Sequence, residues 1–224
     1  MKSDVLITGA NRGIGLELAT QLARRGDRVI ATCRQPAAAE ELAALDLRVE
    51  PLDVGDPASV AELAARIDGK VDVLINNAGI GVRGGALGEL DYERFERFFA
   101  INTLGMLRVT EALLPQLRRG ERRVIANMTS RMGSIADNTS GGAYEYRATK
   151  AGMNMVNRSL SVDLQPEGFI CLVLHPGWVQ TAMGGASAPL PVADSAAGLL
   201  RIIDAADAEY NGGFYDYSGQ SLPW

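Results

Sequence analysis

Short apolar runs alternate with longer stretches of helical periodicity along the whole chain. The apolar runs are rich in β-branched residues and end at polar or glycine positions, as is typical of buried parallel strands. Seven runs follow this pattern, at residues 5–8, 29–33, 47–52, 71–75, 123–128, 169–174 and 214–217. Strand and helix therefore alternate. This alternation predicts an α/β fold over residues 1–224, a single-domain Rossmann-type doubly wound parallel sheet of about seven strands with helices on both faces.

Composition narrows the classes of partner. The 224 residues are 47% hydrophobic and carry a net charge of -5, with no Lys/Arg block interleaved with aromatic residues. This balance argues against nucleic acid and anionic membrane surfaces and favours a small-molecule partner. Cys33 and Cys171 lie in separate apolar runs, so we expect buried free thiols, and with a lone His175 no metal site. The chain enters its first strand without an apolar leader, which predicts a cytoplasmic protein with no membrane span.

A glycine-rich turn follows the first apolar run. Its glycines have the spacing Thr8-Gly9-x-x-x-Gly13-x-Gly15, and helical periodicity resumes directly afterwards. Glycines let the backbone approach a phosphate closely, and the N–H groups at a helix start stabilise its charge. A glycine turn alone is often only a turn, but the strand before it and the helix after it favour a cofactor-binding site. The residues expected to contact that cofactor are Gly9, Asn11, Arg12, Gly13, Ile14 and Gly15.

The end of the second strand bears on the choice of cofactor. An acidic residue there accepts hydrogen bonds from the ribose of NAD, whereas an arginine suits the 2′-phosphate of NADP. This chain has Cys33-Arg34 at that point, and Arg12 in the glycine turn supplies a second cation. The alternative is that both arginines are merely solvated. The pattern favours NADP(H) over NAD(H).

Two further strand ends are expected to lie beside the same cofactor. Asp53 and Val54 follow the third strand, where Asp53 is placed to hydrogen-bond an adenine edge. Small residues after the fourth strand leave room for a bound molecule. These residues are Asn77, Ala78 and Gly79.

Tyr146 and Lys150 stand four residues apart in a run, 143–164, that fits a helix, so they are predicted to share one face. Free tyrosine titrates near pH ~10, and an adjacent ammonium group is expected to lower that pKa and make the phenol a proton donor or acceptor. Taken alone, such a pair is typical of a solvated helix. Ser130 follows the fifth strand at its carboxyl end, where open α/β sheets bind ligands, and is placed to hydrogen-bond a carbonyl oxygen.

Asn102 is a polar residue among apolar ones in a long helical region that Asp91 is expected to cap. A buried amide must find hydrogen-bond partners or destabilise the fold. Two interpretations stay open for Asn102: it ties the helix to a neighbouring backbone, or it takes part in a proton relay.

Taken in order along the chain, these motifs resemble the short-chain dehydrogenase/reductase family over essentially the whole sequence. The segments after Tyr146 and near the end of the chain are most similar to the C-factor-like and sniffer-like carbonyl reductase branch. The motifs are Thr8-Gly9-x-x-x-Gly13-x-Gly15, Asn76-Asn77-Ala78-Gly79, Asn102, Ser130, Tyr146-x-x-x-Lys150 and Pro176-Gly177.

The resemblance implies a catalytic tetrad. Asn102 would anchor a water chain, Ser130 would orient the substrate oxygen and Tyr146 would transfer the proton. Lys150 would bind the nicotinamide ribose and lower the pKa of Tyr146, which together with Lys150 would also contact the cofactor. After the sixth strand the resemblance implies further cofactor contacts, in a segment expected to act as a lid. These are Pro176, Gly177, Val179 and Thr181.

Three positions depart from the family pattern or compete with it. Ser130 is further from Tyr146 than in many members, so Ser134 is an alternative, although Ser130 follows the strand directly. Tyr144 has Ala148, not a lysine, four residues on. Ala182 stands where this branch often carries an acid.

The resemblance implies an NADP(H)-dependent oxidoreductase that moves a hydride between the nicotinamide and a carbonyl or alcohol substrate. The alternative is an NADP(H)-binding regulatory or signalling protein in which turnover is incidental. In either case a homodimer or homotetramer is expected.

Overall fold

The computed structural model describes residues 2–81 and 86–224. Seven strands form one sheet in the order β3-β2-β1-β4-β5-β6-β7, and every pairing is parallel. The predicted doubly wound parallel sheet is therefore confirmed. The strands are β1 (Asp4–Ile7), β2 (Arg28–Cys33), β3 (Arg48–Pro51), β4 (Val73–Asn76), β5 (Val124–Met128), β6 (Ile170–His175) and β7 (Phe214–Asp216).

Helices cover both faces of the sheet. Val5 and Ile7 point into one core cluster while Leu6 points into the other, as the alternation of side chains along a strand requires. Helices α1 and α7 pack together, as do α3 and α5, and α4 and α6. No helix in the described part of the chain is both long and apolar enough to cross a membrane. The helices are α1 (Gly13–Arg24), α2 (Glu40–Ala43), α3 (Pro57–Arg66), α4 (Tyr92–Phe99), α5 (Gly105–Arg118), α6 (Tyr144–Asp163) and α7 (Val192–Ala205).

The order of strands reverses between β1 and β4, and this switch point opens a crevice at their carboxyl ends. Side chains fasten the two strand ends together. The hydroxyl of Thr8 accepts hydrogen bonds from the N–H groups of Asn77 and Ala78, at 3.0 and 2.9 Å. The Asn77 amide donates to the carbonyls of Thr8 and Gly9, both at 3.0 Å. Asn77 thus holds the glycine turn against the end of β4.

A π-helical turn interrupts the long helical region that contains Asn102. Asp91 caps α4 by accepting a hydrogen bond from the N–H of Arg94 at 3.0 Å, as predicted. A single π-helical turn, Ala100–Leu104, then separates α4 from α5. Such wide turns are rare and occur often at functional sites, and this one carries Asn102.

A chain of buried amides crosses the sheet beneath the crevice. Asn76 donates to Thr110 and to Asn127, at 3.1 and 2.8 Å. Asn127 donates to Asn157 at 2.8 Å, and Asn157 donates to the carbonyl of Cys171 at 3.4 Å. These bonds join β4, β5 and β6 to α5 and α6, and so fix α6 relative to the strands that end at the crevice.

Replacing the central amide is expected to destabilise the fold. Asn127→Ala removes two hydrogen bonds and leaves Asn76 and Asn157 with unpaired buried groups, which we expect to lower the free energy of unfolding by about 2 to 4 kcal/mol. Urea denaturation should show a lower midpoint at an unchanged slope. Asn138→Ala, an exposed asparagine, is the matched control and should shift the midpoint little. Equal shifts for both variants would contradict a structural role for the chain of amides.

Candidate active site

Helix α6 places Tyr146 in its first turn and Lys150 one turn later. The ammonium nitrogen of Lys150 lies 5.8 Å from the centroid of the Tyr146 ring, so the two residues share a face as predicted. The loop after β5 packs directly on this turn. A Cβ at Gly133 would stand 2.8 Å from the main-chain carbon of Lys150, so only glycine allows the loop to approach so closely.

That packing brings Ser130, and not Ser134, to the tyrosine. Ser130 is buried, caps the short turn Arg131–Gly133 through a 3.1 Å hydrogen bond from Met132 N–H, and lies close enough to Tyr146 for its hydroxyl to influence the pKa of the phenol. Ser134 is also buried, but its hydroxyl accepts a hydrogen bond from the N–H of Asp137 at 3.1 Å within the loop. The structure therefore favours Ser130 over the alternative serine, although a catalytic role for it stays a prediction.

The pKa of Tyr146 is raised, which is the opposite of the predicted direction. Burial disfavours the phenolate and is the larger cause, and the hydrogen bond with Ser130 opposes it. The predicted lowering by Lys150 is wrong for this arrangement, because the ammonium group lies 5.8 Å from the centroid of the ring and donates its hydrogen bond to the carbonyl of Met128. At neutral pH, Tyr146 consequently carries its proton.

Lys150 is a buried cation. Its side chain donates a 2.7 Å hydrogen bond to the carbonyl of Met128, and the residue is 5% exposed. Burial lowers its pKa from 10.5 to about 8. Lys150 is therefore charged over most of the neutral range but titrates close to it.

Asn102 is completely buried and acts as a tie between two elements. Its side-chain oxygen accepts a 2.8 Å hydrogen bond from the N–H of Ile80, and its amide donates to the Ile80 carbonyl at 2.9 Å and to Thr149 at 3.2 Å. These contacts join the loop after β4 to α6, as the first of the two interpretations expects. A Cβ at Gly79 would lie 3.3 Å from the Asn102 oxygen and 3.8 Å from the Lys150 nitrogen, so both side chains border one small space. A part in a proton relay stays a prediction.

The glycine turn forms a cradle without side chains, which fits a cofactor phosphate. A Cβ at Gly15 would stand 2.4 Å from the Gly9 carbonyl oxygen, where no side chain is tolerated. Gly13 has φ +55°, a left-handed conformation that favours glycine, and Thr181 lies against it with its methyl carbon 3.4 Å from the position of a Cβ. Asn11 and Arg12 are exposed at the tip of the turn, and Ile14 is the second residue of α1.

The two arginines expected to contact a 2′-phosphate are both exposed. Within residues 2–81 and 86–224, neither Arg12 nor Arg34 forms an ion pair with a carboxylate. Both guanidinium groups are therefore available to an anion. Asp53, by contrast, uses a carboxylate oxygen to accept a 2.9 Å hydrogen bond from the N–H of Gly55, beside the buried Val54.

The segment after β6 is well structured. Pro176 follows β6 directly, and Gly177 has φ +88°. Val179 bridges to Leu190, which brings the two arms of the segment together. The hydroxyl of Thr181 accepts a 3.1 Å hydrogen bond from the N–H of Gly184. The predicted lid movement stays a prediction.

Two residues close to Tyr146, Gly81 and Met183, were not predicted from the sequence. A Cβ at Gly81 would lie 3.2 Å from the ring of Tyr146 and 3.1 Å from the sulfur of Met183. Met183 is 56% exposed, so a partly exposed apolar side chain lies beside Gly81, close to the tyrosine. The sequence signal was weak, because a methionine in a loop has no periodicity to identify it. Thr149, the partner of Asn102, had a clearer signal as a polar residue on the buried face of α6.

The low pKa of Lys150 predicts a pH dependence of stability. Between about pH 8 and 10.5 the unfolded lysine holds a proton that the folded one has lost, so the free energy of unfolding rises with pH over that window. Relative to Lys150→Met, the wild type should gain roughly 3 kcal/mol across it. Urea unfolding at stepped pH measures the difference, and Lys2→Met serves as an exposed control. A constant difference between wild type and Lys150→Met would contradict the lowered pKa.

Known proteins are similar to this chain in both sequence and structure. The chain is 58% identical over 156 residues to the C-signal of Myxococcus xanthus, which covers 70% of this chain and 94% of that protein. The carbonyl reductase Sniffer of D. melanogaster is 34% identical, with a TM-score of 0.93 over 100% of both chains. An NADPH-bound carbonyl reductase from chicken fatty liver is 33% identical, with a TM-score of 0.94 over 100% of this chain and 99% of that one. The family model for short chain dehydrogenases matches residues 3–189, and the chain belongs to this short-chain dehydrogenase/reductase family.

Proposed function

We propose that the protein is an NADP(H)-dependent oxidoreductase that transfers a hydride between the nicotinamide and a carbonyl or alcohol substrate. The observation that carries the proposal is the convergence of Tyr146, Ser130 and Lys150 at the crevice that also holds the glycine cradle. The similarity to two carbonyl reductases, one of them described as NADPH-bound, supports the same activity.

The cofactor supplies the hydride, and the residues of the chain supply orientation and the proton. Tyr146, protonated at neutral pH because burial raises its pKa, gives its proton to the substrate oxygen when a carbonyl is reduced. Ser130 hydrogen-bonds the same oxygen and holds it beside the phenol.

Lys150 and Asn102 support the proton donor. With a pKa of about 8, the Lys150 ammonium group is charged at neutral pH and lies 5.8 Å from the centroid of the Tyr146 ring, so it adds positive charge to the wall of the site. Asn102 holds the loop at Ile80 against α6, which keeps the wall of the site in place. The two roles differ: Lys150 contributes positive charge to the site, whereas Asn102 fixes the position of the loop that forms its wall.

For the cofactor we infer a preference for NADP(H). The glycine cradle would hold the pyrophosphate, and the unpaired guanidinium groups of Arg12 and Arg34 would meet the 2′-phosphate. The two residues at this strand end are Cys33 and Arg34, so the strand end has no carboxylate that could bind a free 2′-hydroxyl. The proposal therefore rests on two available cations and on the lack of an acid in the sequence at this strand end.

The second candidate is a regulatory or signalling protein that binds NADP(H) with only incidental turnover. The specific observation in its favour is the 58% identity to C-signal. The two functions differ in what they require of Tyr146. A signalling role needs the bound cofactor only, whereas the oxidoreductase needs the phenolic proton.

Removing the phenolic hydroxyl tests the proposed chemistry. Tyr146→Phe is expected to lower kcat by more than about a hundredfold because the general acid is lost, while the Kd for NADPH stays nearly unchanged. Turnover is followed by NADPH absorbance with a panel of aldehydes, ketones and quinones. Tyr144→Phe, two residues earlier on the same helix, is the matched control and should retain wild-type rates. A Tyr146→Phe enzyme with substantial activity would show that another group donates the proton.

Cofactor choice is tested by titration. Wild type is expected to bind NADPH about a hundredfold more tightly than NADH, since charge-assisted hydrogen bonds to the 2′-phosphate are each worth roughly 1.5 to 3 kcal/mol before screening. Arg34→Ala should weaken NADPH binding about tenfold and leave NADH binding unchanged. Arg201→Ala removes an exposed arginine from α7 and is the control for net charge. Equal dissociation constants for the two cofactors in wild type would refute the preference.

A further inference from the structure

A salt bridge joins α4 to the first turn of α6, next to the proposed proton donor. Arg94 donates two hydrogen bonds to Oε1 of Glu145, one from its Nε at 3.1 Å and one from a terminal nitrogen. Glu145 directly precedes Tyr146 in the chain and is 1% exposed. The hydrogen bond from Arg94 holds the pKa of the Glu145 carboxyl below its ordinary value. An ionised carboxylate is therefore buried one residue before the phenol.

This salt bridge is a poor source of stability. Taking charges out of water costs free energy, and their attraction offsets that cost only when the remaining hydrogen-bonding groups are also satisfied. Among residues 2–81 and 86–224, Oε2 of Glu145 is buried and has no hydrogen-bond partner. The burial of this carboxylate is thus incompletely compensated, and its presence calls for a reason other than stability.

The first turn of α6 is weakly fixed by the helix itself. Gly141, Gly142 and Ala143 lead into it with φ values of +65°, +65° and +47°. No side chain in the described part of the chain caps its N-terminus. Helix ends without a cap leave N–H groups unsatisfied and fray easily. Tyr146 is the third residue of α6, so the proposed proton donor lies in a turn that needs support from outside the helix.

Two anchors from one continuous helical segment hold α6 on either side of Tyr146. Glu145 and Thr149 stand four residues apart, so they lie on the same face of α6. Glu145 is held from α4, and Thr149 from the π turn that directly continues α4. Thr149 accepts a 3.2 Å hydrogen bond from the Asn102 amide, and its carbonyl accepts one from the Thr103 hydroxyl at 2.9 Å.

These anchors bear on the direction in which the phenol points. Tyr146 and Lys150 form the neighbouring stripe of α6, offset from Glu145 and Thr149 by one residue, or about 100° around the helix axis. Because the helix turns as a unit, fixing one stripe sets the direction of the other. A misplacement of a reacting group by ~1 Å can cost about a hundredfold in rate. The rotation of α6 about its axis is therefore a quantity on which proton transfer depends.

We propose that Arg94 and Glu145 are a positioning pair that sets the rotation of α6 and so aims the Tyr146 hydroxyl at the substrate oxygen. The inference rests on the proposed function, because it concerns the proton donor of that reaction. Neither Arg94 nor Glu145 takes part in hydride or proton transfer. Their effect reaches the reaction only through Tyr146.

The test begins with Glu145→Gln, which keeps the shape of the side chain and removes its charge. With NADPH and a carbonyl substrate that wild type accepts, kcat should fall about tenfold, while KM and the Kd for NADPH change less than twofold. The loss should be the same at every pH from about 6 to 9, because a position is altered and not a titrating group. Arg97→Gln removes an exposed arginine from the same helix as Arg94 and should retain the wild-type kcat.

A double-mutant cycle with Tyr146→Phe then separates positioning from a general disturbance of the fold. In the Tyr146→Phe background, measured at high enzyme concentration, Glu145→Gln should change the remaining rate less than twofold because no hydroxyl is left to misdirect. Arg94→Lys keeps the positive charge but loses the planar fork, so its kcat should lie between those of wild type and Glu145→Gln. This milder variant carries the same cycle if Glu145→Gln does not fold.

The outcomes distinguish the inference from the proposed function. A folded Glu145→Gln enzyme with the wild-type kcat would overturn the positioning role and leave the oxidoreductase intact. Equal losses with and without the Tyr146 hydroxyl, or a parallel loss of NADPH affinity, would show that the salt bridge only maintains the fold. Full activity of Tyr146→Phe, or no turnover of any carbonyl compound by wild type, would overturn both proposals together.

Discussion

Burial of the sheet on both faces is the constraint on which the rest of the molecule depends. Strand side chains alternate between two apolar clusters, so the strand interiors offer little room for chemistry. Polar groups are concentrated at the carboxyl ends, where Thr8, Asn77 and Ser130 follow their strands. The buried chain of asparagines lies within the sheet, and it is accepted because its amides hydrogen-bond one another and their neighbours. The edge of the sheet at the carboxyl ends of its strands is thus polar because the buried interior of the sheet excludes charge.

The same exclusion of charge determines the electrostatics of the site. Burial raises the pKa of Tyr146 and lowers that of Lys150, so both groups shift towards their neutral forms. The expectation that the Lys150 ammonium group keeps the phenol ionised gives the wrong direction for the pKa shift of Tyr146. It counts the charge of the lysine and leaves out the desolvation of the phenol. Desolvation is the larger effect here, and the hydrogen bond to the Met128 carbonyl holds the Lys150 ammonium group in its place.

Much of the fold could be predicted from the sequence because buried strands and amphipathic helices have distinct periods. The seven strands were predicted to within about two residues at either end, and Tyr146 and Lys150 share a face as helical spacing requires. The π turn was not predicted, because one extra residue hardly changes an apolar pattern over five positions. Helix α2 is too short to show a period. The pKa of Tyr146 and the approach of Tyr146 and Met183 to Gly81 depend on packing between distant segments, which no local pattern contains.

The contact between Thr181 and Gly13 has a consequence for synthesis of the protein. The glycine cradle follows β1, whereas the threonine that lies against it follows β6, with most of the sheet between them in sequence. Contacts between such distant segments form late, because the intervening chain must be ordered first. A nascent chain can therefore form the turn long before it can cover it. A chain truncated before β6 therefore lacks the threonine that covers Gly13 and leaves the turn open on that side.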